Sequence, residues 1–261
     1  MMYEICTQTD PGLMRDNNED AVVFDAATGL CILADGMGGY NAGEIASGMA
    51  AAFIKSEMGR WLSHAGRQAN AKEVRRAMEI CVENANHSIF NAAHSNPQYA
   101  GMGTTLVVGV FQEGRLTLGH IGDSRYYRLR GKEFQQLTKD HSLLQEQMDA
   151  GLITPEQALT SLNKNLVTRA LGVEDTVLVE VNEYRVDAGD VYLLCSDGLS
   201  DMLVDEDIAV ILRGAGGLEH KARQLVAAAN EAGGRDNISV LLACAKEGSA
   251  KRGLLSRMLG K

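Results

Sequence analysis

The order of its hydrophobic periodicities is the feature that most constrains the fold of this chain. Apolar residues alternate at a spacing of two, as in β-strands, in several groups along the chain. Between these groups, apolar residues repeat at helical spacing in pairs of segments. A parallel α/β fold needs strands and helices that alternate one by one. The observed order predicts instead an α+β fold, an antiparallel β-sandwich of two sheets flanked on both sides by antiparallel helix pairs.

The predicted elements follow from these patterns and from the turn-forming residues between them. Short strands come first, at residues 3–9, 21–24 and 30–34. Two helical patterns follow, at residues 54–62 and 74–89. A meander is predicted next, with strands at residues 104–111, 115–121, 126–130 and 134–137. After a polar insertion, the pattern predicts strands at 177–186 and 191–195, helices at 205–212 and 218–232, and a last strand at 238–245.

Charge and composition exclude several classes of function. The formal net charge of -9 and the pI near 5.2 argue against a nucleic-acid binder, which needs a basic face. No apolar run approaches the roughly 20 residues that a membrane span requires. The five cysteines are widely separated and form no C-x-x-C pair, so they indicate neither a zinc site nor a disulfide framework. We therefore expect a cytoplasmic protein.

Acidic residues stand beside glycine, asparagine or serine next to predicted strands at five places in the chain. These places contain Asp20, Asp35, Asp123, Asp197 and Asp236. One such aspartate is most simply explained as part of a turn. Several carboxylates that emerge at the ends of buried strands would repel one another unless cations lie between them. Oxygen ligands without a His or Cys cluster favour Mg²⁺ or Mn²⁺ over Zn²⁺.

Seven motifs occur in a fixed order along residues 1–246. They are R-x-x-N-E-D, D-G-M-G-G, G-x-G-T-T, G-D-S-R, K-D-H-S, L-x-S-D-G-L and D-N-I-S. With these motifs the chain resembles the metal-dependent serine/threonine protein phosphatases of the 2C type (the PPM family) in their compact bacterial form. Each motif alone is weak evidence, but all seven in this order across one domain are very specific.

The resemblance implies a site with two core ions, Mn²⁺ or Mg²⁺, and a third, weaker ion. Asp35 would bridge the two core ions, and the Gly36 carbonyl would also bind one of them. Asp197 and Asp236 would hold the other core ion, whereas Glu19 and Asp20 would act through bound water. Asp123 would belong to the third position.

The resemblance also implies the reaction. A hydroxide that bridges the two metal ions would attack the phosphorus of phosphoserine or phosphothreonine in a protein. Arg15 would clamp the phosphate, because its planar guanidinium matches two phosphate oxygens. The implied partners are phosphorylated proteins, in particular the substrates of a bacterial serine/threonine kinase that this protein would oppose. The expected oligomeric state is a monomer.

One motif departs from the eukaryotic pattern D-G-H-G-G, in which the histidine is a proposed general acid. Met37 occupies that position here, so another group must protonate the leaving oxygen. His141, in K-D-H-S, is one candidate. The alternative is that His141 is a structural residue at the base of the insertion.

The predicted domain covers residues 1–246 and includes a flap at about 142–166, which could also be an ordinary helical hairpin. Residues 247–261 form a basic tail, expected to be unstructured or to dock on a partner or an anionic lipid. Two other functions remain open. One is a phosphoprotein-binding module without catalysis on the same fold. The other is a metal phosphodiesterase or small-molecule phosphatase, although the His-rich metal spacing of such enzymes is missing.

Overall fold

The computed structural model describes residues 1–39, 42–65, 69–154, 157–158, 161 and 166–247. The strands in these ranges are β1 (Met2–Asp10), β2 (Asp20–Asp25), β3 (Leu30–Met37), β4 (Gly103–Thr104), β5 (Leu106–Gln112), β6 (Arg115–Ile121), β7 (Arg125–Arg130), β8 (Glu133–Gln136), β9 (Glu180–Arg185), β10 (Val191–Cys195) and β11 (Ile238–Lys246). The helices are α1 (Ala42–Ala65), α2 (Ala71–Ser95), α3 (Leu143–Asp149), α4 (Asp197–Ser200), α5 (Asp205–Arg213) and α6 (Leu218–Glu231).

The strands form two antiparallel sheets. The first sheet has the order β1-β11-β10-β7-β8, and the second has the order β2-β3-β5-β6-β9 with β4 paired to β3. Helices α1 and α2 cover the second sheet, and α5 and α6 cover the first. The predicted α+β sandwich with outer helix pairs is therefore confirmed.

The strands in the middle of the sandwich are buried on both faces. In β3, Ile32 packs towards α1 and α2, whereas Leu33 packs towards the other sheet. In β11, Leu242 packs towards α5 and α6, whereas Leu241 faces the space between the sheets. Because successive side chains of a strand point to opposite faces, strands covered on both sides need uninterrupted apolar sequences.

Both the local sequence and the packing against the sheets stabilise the helices of the outer pairs. Helix α2 begins with a capping box, in which the Asn70 side chain accepts from the Glu73 N–H and the Glu73 side chain accepts from the Asn70 N–H. Ile54 of α1 and Met78 of α2 are buried in the same core. The helices predicted at 205–212 and 218–232 are confirmed within one residue at each end. The helices predicted at 54–62 and 74–89 are confirmed but are longer in the structure, since α1 begins at Ala42 and α2 ends at Ser95.

The end of β3 differs from the prediction. The apolar run predicted a strand that stops before Asp35, but β3 continues to Met37. The extension exists because Gly36 and Met37 pair with the short strand β4. Asp35 is therefore a residue inside a strand, directly opposite Asp20 on β2.

Part of the chain lies outside the described residues. Helix α3 occupies the start of the predicted flap, but much of residues 155–165 and the whole of residues 248–261 lie outside the described ranges. Within the described ranges, no helix is both long enough and apolar enough to cross a bilayer. All five cysteines are free thiols.

Candidate active site

Two carboxylates face each other at one end of the second sheet. Asp20, the first residue of β2, pairs with Asp35 of β3. Like charges that lie directly opposite each other on neighbouring strands destabilise a sheet. Burial raises the pKa of Asp20 to about 7, although the hydroxyls of Ser239 and Ser196 act against the shift. Burial and the Asp20 charge hold the pKa of Asp35 well above its usual range.

Three further carboxylates converge on this pair from other elements. Asp197 is the first residue of α4, directly after β10 and Ser196. Asp123 lies in the turn between β6 and β7 and is 8% exposed, and Asp236 immediately precedes Asn237 and β11. Burial is the main cause that raises the pKa of Asp197, and Asp123 is the strongest charge that adds to it. Burial also raises the pKa of Asp123, to about 6. The structure thus gathers five aspartates from distant parts of the chain.

Glu19 and Gly36 lie where β2, β3 and α1 approach most closely. The Gly36 N–H donates to the Glu19 carbonyl at 3.1 Å, and the Ser47 hydroxyl of α1 donates to the same carbonyl at 2.5 Å. A Cβ atom at Gly36 would lie 2.2 Å from the Gly43 carbonyl oxygen, which is far inside van der Waals contact. Only glycine therefore permits this approach, which brings the start of α1 to the carboxylates.

Arg15 lies on the rim of the carboxylate group. Its Nη2 donates to Asp236 Oδ2 at 2.6 Å, and its side chain is 53% exposed. The hydrogen bond to Asp236 is the main cause that raises the pKa of the Arg15 guanidinium. Arg15 thus offers a permanent positive charge on the solvent side of the aspartates.

The carboxylates fit a hard divalent cation. Asp20 Oδ2 accepts from the Ser196 hydroxyl at 2.9 Å, but Asp20 Oδ1 is buried and has no hydrogen-bond partner. A buried carboxylate oxygen without a donor is costly unless another positive group satisfies it. Mg²⁺ and Mn²⁺ prefer carboxylate and carbonyl oxygens. The residues predicted to contribute such oxygens are Glu19, Asp20, Asp35, Gly36, Asp123, Asp197 and Asp236.

The hydroxyl side chains of Thr104 and Thr105 hold the Asp35 backbone in place. The sequence alone suggested no role for them. The Asp35 N–H donates to Thr105 Oγ1 at 3.1 Å, and the Thr104 hydroxyl donates to the Asp35 carbonyl at 2.9 Å. Thr105 in turn shares a 2.7 Å hydrogen bond with Ser124. These residues belong to the motifs G-x-G-T-T and G-D-S-R, so the motifs marked them, but only their contacts reveal what they do.

His120, His141 and Glu180 form a second cluster of possible metal ligands, with their ligand atoms within 4.8 Å of one another. The Gly122 N–H donates to His141 Nδ1 at 3.2 Å. The proton of a neutral His141 ring must then be on Nε2, which lies 3.6 Å from Glu180 Oε2. Since a metal needs the Nε2 lone pair, this arrangement disfavours metal binding at His141 and indicates a structural contact.

A cavity of about 470 Å³ opens beside Asp123 and Asp197. Leu144 and Met148 of α3 form one apolar wall, and residues 202–204 form another. The cavity joins the carboxylates to the start of the flap.

Comparisons with known proteins identify the family to which this chain is similar. A family model described as protein phosphatase 2C matches residues 14–243. The protein phosphatase PhpP of Streptococcus pneumoniae is 39% identical over 252 residues, which cover 95% of this chain and 100% of PhpP. The serine/threonine phosphatase Stp of Listeria monocytogenes is 38% identical over 242 residues, which cover 90% of this chain and 93% of Stp.

Solved structures show the same architecture. The serine/threonine phosphatase Stp1 of Staphylococcus aureus superposes with a TM-score of 0.87 at 32% identity, over 94% of this chain and 96% of Stp1. The catalytic domain of the phosphatase PstP, in complex with two manganese ions, superposes with a TM-score of 0.82 at 38% identity. That match covers 94% of this chain and 99% of the PstP domain.

Proposed function

This chain belongs to the protein phosphatase 2C family, and from that premise we propose that its carboxylate site hydrolyses phosphoserine and phosphothreonine in proteins. One observation carries the proposal. Five aspartates from five segments converge, and Asp20 Oδ1 is buried among them without a hydrogen-bond partner, beside an exposed arginine. A site of this kind suits divalent cations and a phosphate group. The family is described as protein phosphatase 2C, and its relatives Stp and PhpP are named as a serine/threonine phosphatase and a protein phosphatase.

The cations would be Mn²⁺ or Mg²⁺. Asp35, Asp197, Asp236 and the Gly36 carbonyl would hold the two core ions, Glu19 and Asp20 would act through bound water, and Asp123 would belong to a third, weaker position. Divalent ions in such a site lower the pKa of a bound water and stabilise the charge that develops on the phosphoryl group. The protein itself supplies the placement of the carboxylates: the strand pair sets Asp20 against Asp35, and the hydroxyls of Thr104 and Thr105 keep the Asp35 backbone in position.

Arg15 would bind the phosphate of the substrate. A guanidinium donates two parallel N–H groups to a carboxylate or to a phosphate with similar geometry. In the structure it donates to Asp236. A substrate phosphate would replace this acceptor and remain next to the reacting centre.

His141 is the candidate general acid that the structure argues against. Its Nδ1 accepts from the Gly122 N–H, and its ring stacks on His120 with 4.6 Å between the centroids. Burial lowers the pKa of His141 to about 4, so the ring is neutral near pH 7. These contacts support a structural role for His141 at the base of the flap.

Replacing His141 by alanine should therefore change kcat for a phosphothreonine peptide by less than about 3-fold. The same change should lower the free energy of unfolding by about 1–3 kcal/mol, because a buried ring and its hydrogen bond are lost. Steady-state kinetics and urea unfolding measure the two effects. A fall in kcat of about 100-fold in a folded variant would restore His141 as a general acid.

Hydrolysis of a phosphothreonine peptide tests the proposed function. We expect phosphate release with Mn²⁺ and with Mg²⁺, and none after EDTA removes the ions. Adding back Mn²⁺ in excess should restore the activity, which shows that EDTA did not unfold the protein. If the protein bound the phosphopeptide but released no phosphate with either metal, a phosphoprotein-binding module would be the better description.

The proposal also includes the cellular context. The protein would act on phosphoproteins in the cytoplasm, as a monomer, and would oppose a serine/threonine kinase. Its five free cysteines are consistent with a reducing compartment. A molar mass near twice 28.1 kDa by light scattering would contradict the monomer.

A further inference from the structure

The segment that carries Arg15 is the loop between β1 and β2. It comprises residues 11–19 and is called the Arg15 loop below. The loop runs against the segment before β11, and Gly12 makes this approach possible. Gly12 has a φ of +79°, and a Cβ atom there would lie 2.2 Å from the Asp236 carbonyl oxygen. The Leu13 N–H also donates to the Gly234 carbonyl at 2.7 Å.

One side chain, Asn237, makes three hydrogen bonds to this loop. Its Oδ1 accepts from the Glu19 N–H at 2.8 Å. Its Nδ2 donates to the carbonyls of Pro11 at 2.9 Å and Asn17 at 2.8 Å. Asn237 is only 5% exposed, so its side chain is shielded from water. The bonded positions lie on both sides of Arg15 along the chain.

Asn237 also contacts the partner of Arg15. The Asn237 N–H donates to Asp236 Oδ1 at 2.8 Å, and Asp236 Oδ2 accepts from Arg15 at 2.6 Å. The next residue, Ile238, begins β11, which lies inside the first sheet between β1 and β10. The loop is thus tied to a strand that cannot move without disturbing the sheet.

We propose that Asn237 is a positioning residue, which holds the Arg15 loop so that the Arg15 guanidinium faces the substrate phosphate. The proposal rests on the proposed function of Arg15 in phosphate binding. Asn237 does not touch the substrate; it fixes the backbone on both sides of the residue that does. Without it, the loop would sample conformations in which Arg15 points elsewhere.

The expected effect is on substrate binding more than on the chemical step. When only a fraction of the molecules holds Arg15 correctly, the apparent affinity falls by that fraction. We expect Asn237→Ala to raise KM for a phosphothreonine peptide by about 10-fold and to change kcat by less than about 3-fold. Asn237→Asp preserves the shape and the acceptor for Glu19 but removes both donors, so it should also raise KM.

Asn86 provides a matched control. It is completely buried, and it makes the same kind of contacts to a different loop: Nδ2 donates to the carbonyls of Glu174 and Asp175, and Oδ1 accepts from the Gly172 N–H at 2.7 Å. Asn86→Ala therefore loses the same number of side-chain hydrogen bonds outside the active site. Its KM should stay within about 2-fold of the wild-type value.

A double-mutant cycle with Arg15→Ala tests whether Asn237 acts through Arg15. In the Arg15→Ala background, Asn237→Ala should raise KM by less than about 2-fold, because the residue that it positions is gone. An undiminished 10-fold rise in that background would overturn the proposal. An equal rise in KM for Asn86→Ala would do the same, since the effect would then be a general loss of stability.

Amide hydrogen exchange tests the positioning without any activity. Exchange of residues 12–19 should become at least about 10-fold faster in Asn237→Ala and remain unchanged in Asn86→Ala. Unchanged exchange in the Arg15 loop of Asn237→Ala would overturn the proposal. A wild-type protein without phosphatase activity would remove the proposed function of the site, and the exchange rates would still decide whether Asn237 holds the loop.

Discussion

Replacing Asp35 by asparagine is expected to lower kcat for a phosphothreonine peptide by about 1,000-fold, which corresponds to roughly 4 kcal/mol of transition-state stabilisation. Asp35 lies opposite Asp20, and the charges of Asp197, Asp123 and Asp236 all act on it. An asparagine has nearly the same shape but carries no charge. It can contribute at most one neutral oxygen where a carboxylate could contact two cations.

Asp25→Asn is the matched control for this change. Asp25 is the last residue of β2, at the opposite end of the strand that begins with Asp20. The control removes an aspartate from the same strand pair without touching the site, so its kcat should remain within about 2-fold of the wild type. Full activity of Asp35→Asn with saturating Mn²⁺ would show that Asp35 is not part of the catalytic site.

The second large effect concerns the stability of the metal-free protein, which should fall as the pH rises from about 4 to 7. Asp35 and Asp197 have pKa values raised well above the ordinary 3.8, and those of Asp20 and Asp123 are raised to about 7 and 6. Between pH 4 and 7 these four carboxyl groups therefore bind more protons in the folded protein than in the unfolded chain. Raising the pH removes these protons and favours unfolding.

The size of the effect follows from the same shifts. A change from 3.8 to about 7 for Asp20 alone corresponds to roughly 4 kcal/mol at about 1.4 kcal/mol per pKa unit. His141 has the opposite effect on the pH dependence of stability. Burial lowers its pKa, so this group makes the folded protein less stable as the pH falls. The difference between the wild type and Asp35→Asn cancels the His141 contribution, so that difference is the quantity to measure.

Urea unfolding in chelator-treated buffer from pH 5 to 8 measures this difference. We expect metal-free Asp35→Asn to be more stable than the wild type by an amount that grows with pH. Saturating Mn²⁺ should reverse the order, because bound cations compensate the carboxylate charges of the wild type. A pH-independent difference, or no stabilisation of the wild type by Mn²⁺, would contradict the placement of a divalent cation among these aspartates.

Most of the architecture could be predicted from the sequence. In β3 and β11, uninterrupted apolar residues indicated strands buried on both faces, and helical spacing of apolar residues predicted the two helix pairs. Such patterns record which side chains must leave water, so they can be recognised in a single chain. The motifs likewise marked Asp35, Asp197 and Asp236 as candidate site residues, because several carboxylates gathered at the strand ends would repel one another unless cations lie between them.

The register and the contacts around the site could not be predicted in this way. The pairing of Gly36 and Met37 with β4 extends β3 beyond Asp35, which pairs with Asp20 of β2, yet β4 lies more than 60 residues further along the chain. The local sequence near Asp35 contains no information about that pairing. The roles of the Thr105 and Ser196 hydroxyls could not be predicted either, because only the fold brings them into contact with Asp35 and Asp20.

The sequence by itself thus determined the layers of the fold and the residue types of the site, because burial and turn chemistry act between near neighbours in the chain. Only the tertiary structure decided that Arg15 meets Asp236, 221 positions away, and that the Asn237 side chain forms hydrogen bonds to the loop that carries Arg15. Contacts at such separations depend on how β1, β11 and β10 are ordered in the sheet. That order is set by the packing of the whole domain and leaves no periodic signal at either residue.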